Sequence, residues 1–160
     1  MEPRDFTTTF TVDRTPHEVF AAVNDVRGWW TGDIEGNTEQ VGDEFTYRYQ
    51  DVHVSRQRIT ESVPGERIVW HVLEARLAFT ADTAEWKDTE IVFDIAPKGA
   101  GTEVRFTHVG LVPAFECFDS CSGAWRHLVG HNLHHLITTG HVDHGEWGTT
   151  SGAAGSDRRA

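Results

Sequence analysis

The chain has 160 residues, 38% hydrophobic and 11% aromatic, a length and composition suited to a single domain with a real core. Its 14 basic and 25 acidic residues leave a formal charge of −11, which opposes attraction to nucleic acid or anionic lipid. No apolar run approaches the roughly 20 residues needed to cross a bilayer; nucleic-acid binding and membrane insertion are excluded, and a polar start at Met1–Asp5, unlike a signal peptide, makes the cytoplasm the expected location.

Residues 6–12 alternate, with Phe6, Phe10 and Val12 on one face of a predicted strand. Thr15-Pro16-His17-Glu18 reads as a capping box with proline in the first helical turn. Val19, Phe20, Val23 and Val26 give the helix that follows a buried stripe, and Gly28 is its expected stop. Trp29 and Trp30 come next; one is expected to seal the core and the other to be partly exposed. Gly36-Asn37 and Gly42-Asp43 punctuate the next stretch. Residues 44–49 form a clear strand, with Phe45, Tyr47 and Tyr49 facing one way. Residues 52–62 predict a more polar strand whose inward face the pattern leaves open. After the turn signal Pro64-Gly65, residues 67–73 are apolar on both parities, as in a strand covered on both sides.

Residues 75–89 carry no clear period and are assigned a strand end and a loop. Ile91, Phe93 and Ile95 mark another strand, Lys98-Gly99-Ala100-Gly101 a hairpin turn, and Val104, Phe106 and His108 the inward face of the strand after it. A long helix is predicted from about Ala114 to Thr139, ending at Gly140. Phe118, Cys121, Trp125, Val129, Asn132 and Leu136 fall on one stripe, flanked by Leu128 and Leu133. Gly123 and Gly130 each weaken this helix by about 1 kcal/mol relative to alanine; close approach of the sheet or a ligand would account for them. Residues 1–140 are therefore assigned to one domain. Residues 141–160, rich in Gly, Ser, Thr and Ala, are assigned to a disordered tail.

The order of these segments is similar to that of the START-like, or SRPBCC, superfamily, and within it to the branch related to activators of the heat-shock chaperone ATPase. The residues that carry the resemblance are Thr15-Pro16-His17-Glu18-Val19-Phe20, Gly28-Trp29-Trp30, Val69-Trp70-His71-Val72, Glu85-Trp86, Thr102 through Leu111, and Gly123-Ala124-Trp125. The resemblance implies an α+β helix-grip fold: a curved antiparallel sheet wrapped around a long C-terminal helix, with two short helices. It also implies a cavity between sheet and helix. Members of the superfamily bind lipids, hormones or polyketides, and a minority are cyclases or hydrolases.

Such a cavity would take an apolar small molecule. The residues expected to line it are Tyr47, Tyr49, Trp70, Phe93, Phe106, His108, Trp125 and Asn132. Tyr47, Tyr49 and Asn132 offer polar groups in an apolar setting, the usual means of orienting a ligand. His108 can cap backbone groups at a strand end, contact a ligand, or act as a base. No catalytic residue is assigned. The alternatives are a cyclase, dehydratase or hydrolase using His108 with Tyr47 or Tyr49, and a chaperone-regulating interaction module. A homodimer is compatible with either. Of His127, His131, His134 and His135, three are expected on the solvent side of the last helix, and Cys117 and Cys121 as small buried side chains; neither group reaches the ligand count of a zinc site, and no metal or cofactor is expected. No Gly-rich phosphate loop or Gly-x-Ser-x-Gly elbow occurs.

Overall fold

The computed structural model describes residues 5–78, 80, 81 and 83–140. Strand β1 (Phe6–Val12) leads into helix α1 (Pro16–Asn24), a single 3-10 turn (Val26–Gly28) and strand β2 (Asp33–Gly36). Four hairpin-linked neighbours follow in sequence, β3 (Glu44–Tyr49), β4 (His53–Val63), β5 (Arg67–Leu77) and β6 (Glu90–Lys98), then β7 (Gly101–Val109). The seven strands form one antiparallel sheet in the order β1-β7-β6-β5-β4-β3-β2. α1 and the 3-10 turn therefore carry the chain from one edge of the sheet to the other.

The C-terminal helix is continuous but not uniform. It runs as α2 (Phe118–His127), passes through a π-helical segment (Leu128–Leu133) and continues as α3 (His134–Thr139). Gly140 ends it in the left-handed conformation, φ 77°, the geometry that glycine adopts at least cost. This is the helix-grip arrangement, with α1 and the 3-10 turn as the short helices.

Local chemistry explains the starts and stops. The Thr15 hydroxyl accepts from the Glu18 amide at 3.1 Å, and the Glu18 carboxylate accepts from the Thr15 amide at 2.9 Å, a reciprocal cap that contributes about 1 kcal/mol. α1 stops at Asn24, four residues before Gly28. Gly28 serves packing instead: a Cβ there would lie 2.8 Å from Leu136 of α3 and 2.7 Å from Asp25. The last helix starts at Phe118, later than the pattern predicts, because Glu85 captures the chain just before it. Its carboxylate accepts from the amides of Glu116 at 2.8 Å and Cys117 at 3.2 Å.

The inner face of the sheet is apolar on β1, β5, β6 and β7, and polar on β4, where Ser55 and Gln57 are buried beside Ile59. That is the strand whose inward parity the sequence leaves open. Trp29 and Trp30 are both buried, so the expected partial exposure of one is corrected. Gly123 and Gly130 face open space: among the described residues nothing lies within 4 Å of a Cβ added at either, so close approach of the sheet does not account for them. The 141–160 tail assignment falls outside the described residues. None of the described helices is long and apolar enough to cross a membrane.

Candidate functional site

Between the sheet and the C-terminal helix lies an aromatic interior. Trp30 stacks on Tyr47 with ring centroids 4.1 Å apart, and lies parallel to Trp70 at 5.9 Å. Trp70 meets Phe93 at 5.1 Å, Phe93 meets Phe106 at 5.2 Å, and Phe106 meets Trp125 at 4.6 Å. Trp86, from the loop after β5, stacks on Trp125 at 5.7 Å. Six of the eight expected lining residues, Tyr47, Trp70, Phe93, Phe106, His108 and Trp125, thus join one packed network of rings. Tyr49 is only partly buried, at the strand end opposite His53.

At one end of this interior a chain of hydrogen bonds runs through His108. His108 is fully buried. Its Nδ1 accepts from the Trp125 indole N–H at 3.0 Å, which places the imidazole proton on Nε2. That N–H donates to the Thr89 hydroxyl at 2.8 Å, and the Thr89 hydroxyl donates to the Trp86 carbonyl at 2.6 Å. The relay fixes one tautomer, because every donor has an acceptor only in that arrangement. Burial, and then the nearby His53, push the His108 pKa down to about 3. Burial does the same to His53, whose ring packs edge-on against Trp86 at 4.4 Å. Both imidazoles are neutral at physiological pH.

A second set of polar contacts clamps the segment between the 3-10 turn and β2. Asn132 donates through Nδ2 to the Trp29 carbonyl at 3.1 Å and to the Thr31 hydroxyl at 3.2 Å. The Tyr47 hydroxyl donates to the Thr31 carbonyl at 2.5 Å. The Trp29 indole donates to the Val23 carbonyl at 3.2 Å. The π-helical segment helps position this clamp. Its wider turn adds a residue to the helix, so that Leu128, Val129, Asn132 and Leu133 all point inward. Gly32 lies beside it at φ 140°, where a Cβ would sit 2.6 Å from the Tyr47 ring.

Other polar atoms of the interior lack partners among the described residues. They include both atoms of the Gln57 amide, the Trp70 indole nitrogen, Ser122 Oγ and Asn132 Oδ1, and beside His108 the Trp86 indole nitrogen. Each such buried group costs about 1–3 kcal/mol unless something pairs with it. The sequence pattern does not mark Gln57, Trp86 and His53 as interior residues. A glutamine in a strand of uncertain parity gave no signal, and Trp86 sits where no periodicity exists.

The remaining reactive side chains are two cysteines within the same core and histidines on the last helix. Cys117 and Cys121 are free and buried. The Cys121 thiol is held far from ionisation by its hydrogen bond with Cys117 and by burial, which makes it a poor nucleophile. His127, His131 and His135 stack along the outer helix face, with centroids 5.1 and 6.4 Å apart. No group of three or more His, Cys, Asp or Glu that could hold a metal ion occurs among the described residues.

The model of the family described as "Activator of Hsp90 ATPase homolog 1-like protein" matches residues 13–138. No curated protein matches the chain. Among solved structures, the Aha1 dimer from Colwellia psychrerythraea superposes with TM-score 0.69 at 21% identity, over 86% of this chain and 98% of that one. Protein MLL2253 from Mesorhizobium loti gives 0.68 at 15% identity, over 84% and 96%. DynU16, from the dynemicin biosynthetic locus, gives 0.63 at 16% identity, over 86% of this chain and 48% of that one. At these identities the likeness is one of fold.

Proposed function

Because the chain belongs to the Activator of Hsp90 ATPase homolog 1-like family, whose fold is suited to ligand binding, we propose that it binds an apolar small molecule between the sheet and the C-terminal helix. The observation that carries this reading is the pairing of aromatic walls with buried polar atoms that the protein leaves unsatisfied. Binding sites for small molecules combine apolar walls with a few placed polar groups. An interior serving stability alone would be expected to pair or omit those groups. The presence of a fold relative in the dynemicin biosynthetic locus is in keeping with it.

The lining comprises Tyr47, Trp70, Phe93, Phe106 and Trp125, with Asn132 at one end and Tyr49 at the sheet's rim. His108 serves this reading as a structural post. The acid–base alternative requires His108 or Tyr47 to give up a hydrogen bond that it already makes, and a base with a pKa of about 3 is a weak one. Homodimerisation, as in the Colwellia relative, belongs to the same proposal and is checked by sedimentation equilibrium.

Thermal shift of the full chain against a library of lipids, fused aromatics and polyketide-like compounds tests the proposal. Stabilisation by a set of apolar compounds sharing one shape is the expected result. A uniform lack of response across the library, repeated by ligand-observed NMR, overturns it.

A further inference from the structure

Gln57 occupies the middle of the inner sheet face. It stands opposite Phe45 on β3 and Val72 on β5. Tyr47 pairs with Ser55, two residues to one side, and Trp70 pairs with Ile59, two residues to the other. Gln57 therefore lies midway on the diagonal from Tyr47 to Trp70. The Trp30 ring lies against both of those side chains, which flank Gln57 on the inner face. Gln57 has no exposed surface, and neither its Oε1 nor its Nε2 has a partner among the described residues.

An unpaired primary amide presents one acceptor and a donor side by side. Its natural complement is a group with a donor beside an acceptor: a lactam, a carboxamide or an undissociated carboxylic acid. The rings of Tyr47, Trp30 and Trp70 are nearly parallel, which suits a planar partner. The indole of Trp30 has the size of two fused rings, and a ligand that takes its place has that size too. Charge argues for a neutral molecule. The interior polar groups are uncharged, and an ion buried without a counter-ion costs far more than a neutral polar group.

We propose that Gln57 is the polar reader of this interior, that Trp30 is the aromatic cover a ligand displaces, and that the ligand class is a neutral planar bicyclic aromatic carrying adjacent hydrogen-bond donor and acceptor. This inference rests on the ligand-binding reading above. Trp30 is suited to the role of cover. Its neighbours Trp29 and Thr31 are tied by hydrogen bonds to Val23, Asn132 and Tyr47, anchors of the segment that do not involve the Trp30 ring.

The test uses three probes of similar shape on the full chain: 2-quinolinone, N-methyl-2-quinolinone and naphthalene. Calorimetry measures affinity, and the Gln57 side-chain NH₂ resonances of 15N-labelled protein report contact. The wild type is expected to bind 2-quinolinone at least about ten-fold more tightly than either comparator, with a shift of the Gln57 NH₂ pair. Gln57→Leu should level the three affinities. Trp30→Ala should tighten all three by a common factor and keep the preference. Gln57→Met serves as the second apolar variant if leucine disturbs the fold, and the NH₂ readout needs no variant at all. Equal binding of the three probes by the wild type, a preference that survives in Gln57→Leu, or an unmoved NH₂ pair overturns the role of Gln57 and leaves the binding reading intact. Failure of wild type and Trp30→Ala alike to bind any probe overturns both.

Discussion

Two buried polar regions of one core are built on opposite principles. Around His108 the chain from Trp125 through the imidazole to Thr89 and the Trp86 carbonyl closes on itself, and no atom of the imidazole is left over. On β4, less than the width of the sheet away, Gln57 is equally buried and has nothing. Burial is therefore the same for the two side chains; what differs is pairing. The His108 relay holds the β6–β7 end of the sheet to the C-terminal helix. The Gln57 floor forgoes stability that an apolar side chain would have supplied.

The largest expected effect comes from acid and breaks the paired region. His53 and His108 have folded pKa values of about 3 against 6.5 for the free side chain. Between those limits the unfolded chain binds protons that the folded chain refuses, so stability is full above about pH 6.5 and falls as pH drops towards 3. Each group contributes a slope of about 1.4 kcal/mol per pH unit, and together they remove about 5 kcal/mol over two units. Denaturation curves across that range check it, and His108→Phe should remove about half the slope. A flat profile would mean that neither imidazole is buried neutral.

Trp125→Ala is next. The ring is buried, touches Trp30, Trp86 and Phe106, and supplies the proton that His108 Nδ1 accepts. A loss of about 3–5 kcal/mol in urea denaturation is expected. A loss under about 1 kcal/mol would show that the relay region does not hold the helix to the sheet.

The contrast between the two regions also marks what the sequence made legible. The capping box at Thr15 and Glu18, the apolar alternation of β3, β6 and β7, and the 3.6-residue stripe of the last helix all depend on neighbours a few positions away, and all appear in the structure. The inward parity of His108 was readable for the same reason. Its partners were not, because Thr89 and Trp86 come from a segment without period, brought close only by the sheet. Gln57 was hidden more deeply. A buried amide in a mixed strand looks like a surface residue until strand register places Phe45 and Val72 beside it. Asn132 stood out as polar on an apolar stripe, but its reach to Trp29 and Thr31 depends on a π turn that no local pattern announces.

A smaller effect of opposite sign sharpens the comparison. Gln57→Leu should raise the unfolding free energy by about 1–2 kcal/mol, since it removes two unpaired polar atoms and keeps the volume. Thr89→Val, a change of similar size in the paired region, should lower it, because His108 Nε2 loses its acceptor. If both substitutions shift stability in the same direction, the distinction between the two regions fails.

The smallest effect supplies the control for that gain. Gly123 sits inside α2, exposed, and a Cβ there meets no described atom within 4 Å. Gly123→Ala should therefore stabilise by about 0.5–1 kcal/mol through helix propensity alone. It alters neither polar region, so its effect should add to that of Gln57→Leu. The pair separates two explanations of any change in binding. If Gln57→Leu abolishes the preference for a lactam because the core has become stiffer, Gly123→Ala should erode that preference in proportion to its own gain. If the preference resides in the amide, Gly123→Ala should raise the melting temperature and leave the ratio of affinities where the wild type has it.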